Sequence, residues 1–85
     1  MGGNRGTSRL EVLAWWHAEV LEIGELLIRA VAIERDICSR LARQPKNATL
    51  LKQRGQYQRL VRHLLWEHRT ALANYLRAIR RGVKR

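Results

Sequence analysis

Cationic side chains dominate the chemistry this chain could perform. Lys46, Lys52, Arg54, Arg59, Arg62, Arg69, Arg77, Arg80, Arg81, Lys84 and Arg85 follow Arg43, against a single acid, Glu67. Before that point Arg5, Arg9, Arg29, Arg35, Arg40 and Arg43 are balanced by Glu11, Glu19, Glu22, Glu25, Glu34 and Asp36, so the second half carries the formal net charge of +10. At helical spacing Lys52, Arg59, Arg62, Arg69, Arg77, Arg80, Arg81 and Lys84 share one face, with Trp66 near its middle. A guanidinium is a planar fork of donors that matches phosphate oxygens, and an indole can stack on an unpaired base. From Arg59 to Lys84 this stripe spans about 37 Å as a helix, comparable to one turn of a duplex. No zinc-ligand, RNA-recognition or other base-reading motif occurs, so the binding expected is to backbone or shape. The same face would suit an acidic protein partner, an anionic lipid surface or plain solvation, and these are the competing readings.

The remaining reactive side chains point less clearly to chemistry. His63 and Glu67 lie one helical turn apart, while His68 falls in an apolar stripe with Glu19 and Glu22 near its level. A carboxylate-bridged metal site in a bundle needs convergent Glu and Glu-x-x-His pairs, and the chain contains none, so neither metal nor cofactor is expected. Arg62 and His68 are separated by five residues, a spacing that resembles the Arg and His pair of the HEPN ribonucleases. The resemblance implies RNA cleavage, with the arginine binding phosphate and the histidine moving a proton. Wheel geometry instead turns His68 toward the apolar face and Arg62 away from it, so a non-enzymatic protein is the leading expectation. Cys38, the single cysteine, sits among apolar neighbours and reads as a small buried hydrophobe.

Two helices must position these groups. Over Ser8–Arg43 the apolar residues cover about two thirds of a helical wheel, against the roughly 100° stripe of an ordinary surface helix. Leu13, Trp16, Val20, Ile23, Leu27, Ala30, Glu34, Ile37 and Leu41 follow the three-four spacing of a bundle seam. A helix apolar on three sides needs neighbours on three sides, and the chain has room for only one other long helix. Trp15, Trp16, Val20, Ile23, Leu26, Leu27, Ala30 and Ile33 are therefore expected to contact further copies, or else a different protein. Trp15 and Trp16 point about 100° apart, which puts Trp16 on the seam and Trp15 against a second subunit. For Trp66, subunit contact and base stacking remain open.

Arg43-Gln44-Pro45-Lys46-Asn47 is the one break, and so short a connection implies antiparallel neighbours. The expected layout is an arm over 1–7, a helix over 8–43 opened by a Ser8–Glu11 capping box, a turn over 44–47, a helix over 48–81 and a basic tail over 82–85. Gly82 is the expected terminator, Gly55 a weak point, and Gly24 a place where the helices cross closely. Glu34, the lone charge in the seam, is expected to be paired or hydrogen-bonded near Arg54 and Tyr57, because an unpartnered buried carboxylate is costly.

Eighty-five residues make one domain, near the size at which oligomerisation commonly supplements a thin core. Met1–Gly6 is polar and glycine-rich and the apolar helix behind it carries a charge every few residues, so neither a signal peptide nor a membrane span is expected. Gly6 stands where a myristoylation signal needs Ser or Thr, and Asn47-Ala48-Thr49 is a glycosylation acceptor only if secreted. A cytoplasmic or virion-interior setting follows. The sum is an all-α antiparallel helical hairpin that oligomerises into a four-helix or larger bundle, similar in architecture to small plasmid regulators of the ROP type. Its expected function is that of a non-enzymatic nucleic-acid-binding accessory, packaging or scaffold subunit. A protein-binding adaptor or inhibitor that uses the basic helix is the alternative, and a HEPN-like ribonuclease the minor one.

Overall fold

The computed structural model describes residues 9–83, so the arm over 1–7, the Ser8 cap, Lys84 and Arg85 lie outside the described residues. Two helices, α1 (Arg9–Arg43) and α2 (Ala48–Val83), pack against each other as an antiparallel hairpin. The turn is built by its own residues. The Gln44 N–H donates to the Arg40 carbonyl at 2.9 Å and the Asn47 N–H to the Gln44 carbonyl at 3.1 Å, with Pro45 supplying the fixed φ of the second turn position. Asn47 then caps α2: its Oδ1 accepts the Leu50 N–H at 3.0 Å, and its Nδ2 donates to Gln44 Oε1 at 2.8 Å. Arg40 and Arg43 lie in the last turn of α1, where cations complement the carbonyl end of the helix dipole.

Leu50, Tyr57, Leu64 and Ala71 recur every seven residues along α2 and meet Ala30, Ile37 and Leu41 of α1 in the seam. Three of the four larger buried side chains, Ile37, Leu41 and Leu50, cluster beside the turn with Tyr57 packed against them, and the fourth, Leu64, lies further along α2. Further along, His17 stacks obliquely on Tyr75 with ring centroids 5.6 Å apart, and His68 sits over Gly24, a register that a turn near Pro45 requires. The pair is long and thin. Its radius of gyration is 19.0 Å, against about 12 Å for a globular chain of this length. The shortest principal dimension is 14 Å, little more than one helix, so the hairpin is a single layer.

Several expectations change in consequence. Cys38 is exposed, not buried, because no third element covers its side of α1. Glu34 is only half-buried and makes neither an ion pair nor a hydrogen bond, with Arg54 or with any other described residue; it borders a shallow groove with Gln58, Val61 and Arg62, where solvent reaches it. Gly82 does not end α2, which continues through Val83. At Gly24 an added Cβ would stand 3.5 Å from His68 Nε2, an ordinary contact, so the crossing does not demand glycine.

Two stability changes follow. Replacing Asn47 with Ala removes the α2 cap and should cost about 1 kcal/mol in urea unfolding at fixed protein concentration. Gly24→Ala should raise stability by up to about 1 kcal/mol in the same assay, since helix propensity improves and the new methyl is accommodated; a loss there would mean that the helices do approach too closely for a side chain.

Candidate nucleic-acid interface

The basic stripe is placed by the continuity of α2. The helix runs unbroken from Ala48 to Val83 through Gly55, so residues separated by three, four, seven and eleven keep a common direction. Lys52, Arg59, Arg62, Arg69, Arg77, Arg80 and Arg81 are all exposed along it. From Lys52 to Arg81 the face is about 44 Å long, at about 1.5 Å per residue.

Its electrostatics are those of unneutralised charge. The two ion pairs among the described residues are Asp36–Arg40 at 3.0 Å on α1 and His63–Glu67 at 3.3 Å on α2, and neither involves a residue of the stripe. Arg77 donates to Asn74 Oδ1 at 3.1 Å, a neutral partner that orients the guanidinium without cancelling it. Among the described residues Lys52, Arg59, Arg62, Arg69, Arg80 and Arg81 are exposed and make no ion pair or side-chain hydrogen bond, which leaves their donors available to phosphate oxygens.

Trp66 takes a position that the wheel alone did not indicate. It is 63% exposed, yet its ring borders a groove of about 440 Å³ shared with Trp15 and Trp16 of α1. All three tryptophans of the chain therefore line one depression, with Trp15 and Trp16 packed edge to face at 4.6 Å. Thr70, on the same wall, donates its hydroxyl to the Trp66 carbonyl at 2.9 Å, the back-bonding habit of threonine within a helix. Glu19, Glu22 and Glu67 complete the rim, and no lysine or arginine lines it. A second groove, of about 230 Å³, continues from Leu26 past Arg29 and Ile33 to Tyr57, Leu60 and Leu64. The register of the hairpin sets Trp15 and Trp16 near Asn74 and Tyr75, and that register is the signal by which the convergence could have been found.

The expected contact residues divide between these surfaces. Ala30 is 3% exposed and sealed inside the hairpin, while Trp16, Val20, Ile23 and Leu27 are half-buried along the seam. Trp15, Leu26 and Ile33 stay exposed on the open side. His68 is half-buried over Gly24 and Arg62 is exposed, so the Arg–His pair is divided between the helix interface and solvent. Among the described residues no three His, Cys, Asp or Glu side chains gather closely enough to hold a metal ion. Neither helix is long and apolar enough to cross a membrane, among the residues described. No protein-family model, curated protein or solved structure matches the chain.

Uncompensated like charges leave a measurable mark. Arg59 and Arg62 are one turn apart, as are Arg77, Arg80 and Arg81, and such neighbours repel. The thermal midpoint should therefore rise by a few degrees as salt increases from about 10 to about 150 mM, because the screening length falls from about 30 to about 8 Å. Circular dichroism melts check this, and a midpoint that fell with salt would mean the arginines are held in ion pairs.

Proposed function

We propose that the chain is a non-enzymatic nucleic-acid-binding protein that engages phosphate backbone through the exposed face of α2. It would act as an accessory, packaging or scaffold subunit of a nucleoprotein assembly. The observation that supports this reading is the row from Lys52 to Arg81, seven cations with no carboxylate partner among the described residues. Solvated surface helices ordinarily intersperse both signs, whereas one-sided charge of this length raises the local concentration of a polyanion. Binding then proceeds by release of counterions from phosphates, with no base-edge contacts required.

Self-association belongs to the same proposal. Among the described residues the hairpin buries only six hydrophobic residues, two of them alanines, and leaves Trp15 56%, Leu26 47% and Ile33 42% exposed. Pairing of hairpins into a four-helix bundle would cover such surface and repeat the arginine row, so that one assembly grips several stretches of phosphate.

Labelled RNA and DNA, single- and double-stranded, titrated across a salt series test the reading. The logarithm of affinity should fall with the logarithm of salt at about 0.9 per phosphate contacted on B-DNA and about 0.7 on single strands. Replacing Arg62, Arg69 and Arg77 together with Gln should weaken binding strongly and lower that slope by about 3, with helicity unchanged. Binding that is absent even at low salt would reject a nucleic-acid target and turn attention to an acidic protein surface.

A further inference from the structure

The open side of α1 carries a stripe, Trp15, Glu19, Glu22, Leu26, Arg29 and Ile33, that reads with the same spacing from either end. Its intervals are four, three, four, three and four residues. Each member lines one of the two grooves that meet at Leu26. An antiparallel isologous contact sets each residue against its counterpart in reversed order, so a spacing that reads alike from both ends keeps the two copies in step along the stripe. When a second copy of the stripe is laid antiparallel on the first, Trp15 meets Ile33, Glu19 meets Arg29 and Glu22 meets Leu26, each twice. The apolar ends match, and the charges match as well.

The charges decide the orientation. Glu19, Glu22 and Arg29 make no ion pair or hydrogen bond within the described chain, so their partners remain to be supplied. A parallel alignment would set Glu19 on Glu19 and Arg29 on Arg29, which like-charge repulsion disfavours. The antiparallel one sets Glu19 of each copy on Arg29 of the other and lets the methylene stem of Glu22 lie over Leu26. Arg29 is the one cation lining either groove, so a copy seated there leaves the arginine row of α2 uncovered.

We propose that two copies of this chain dock through this stripe, α1 against α1 in antiparallel register, about a two-fold axis passing between Glu22 and Leu26. The proposal rests on the bundle assembly suggested above and specifies its interface. Sedimentation equilibrium on the full chain and its variants tests it. Glu19→Arg and Arg29→Glu should each weaken self-association by about tenfold or more, since either change places two like-charge contacts in every dimer. The combined variant, Glu19→Arg with Arg29→Glu, should return to within a few-fold of the parent, because the pairs re-form with reversed polarity. Both side chains lie outside the hairpin core, so circular dichroism should show the helices intact. A parent chain that is monomeric at all concentrations would overturn both this interface and the assembly reading. A self-associating parent whose single variants are unaffected, or whose combined variant is not rescued, would overturn this interface alone.

Discussion

A single layer of two helices cannot cover a helix that is apolar on three sides, and the rest of the structure answers to that constraint. The seam between α1 and α2 removes one face of each from water, with Ala30 and Ala71 its most completely buried members. Everything that flanks the seam stays partly wet. This single geometric fact accounts for the thin core, for grooves lined by indole and leucine, and for the solvated carboxylate of Glu34. Burial of polar groups is avoided entirely, since no charged or polar residue is buried among those described.

Charge is distributed along the same lines. The acids crowd α1 and the rim of the tryptophan groove, while α2 carries the uncompensated cations. In the proposed assembly α1 would serve recognition between copies and α2 recognition of polyanion. Trp66 borders both surfaces, but their charged residues are distinct, so Glu19 and Arg29 can be altered without touching the arginine row.

Much of the hairpin is legible in the residues themselves. The heptad recurrence of Leu50, Tyr57, Leu64 and Ala71 marks the seam, and Pro45 with Asn47 marks the turn, because periodicity and capping are local properties. What a helical wheel conceals is coverage. It shows which side of α1 is apolar and not how much of that side has a neighbour, so Cys38 reads as buried although it is exposed. Direction is concealed as well: Trp66 belongs by its angle to the outer face of α2, yet it lines the groove with Trp15 and Trp16. The exposed cations were easier to read, since long charged side chains on an uncovered helix follow the wheel closely.

The uneven placement of the buried side chains gives the hairpin a gradient of cohesion. Ile37, Leu41 and Leu50 are gathered beside the Asn47 cap, whereas toward the opposite end the buried residue nearest to Arg9 and Val83 is Ala71. Local opening is governed by how much apolar contact each segment must give up. A lone hairpin would thus part like a zipper from its unlinked end and close last where it opens first. The tryptophan groove lies on that looser half, so a partner seated there would act as a clasp, slowing backbone amide exchange furthest from the turn.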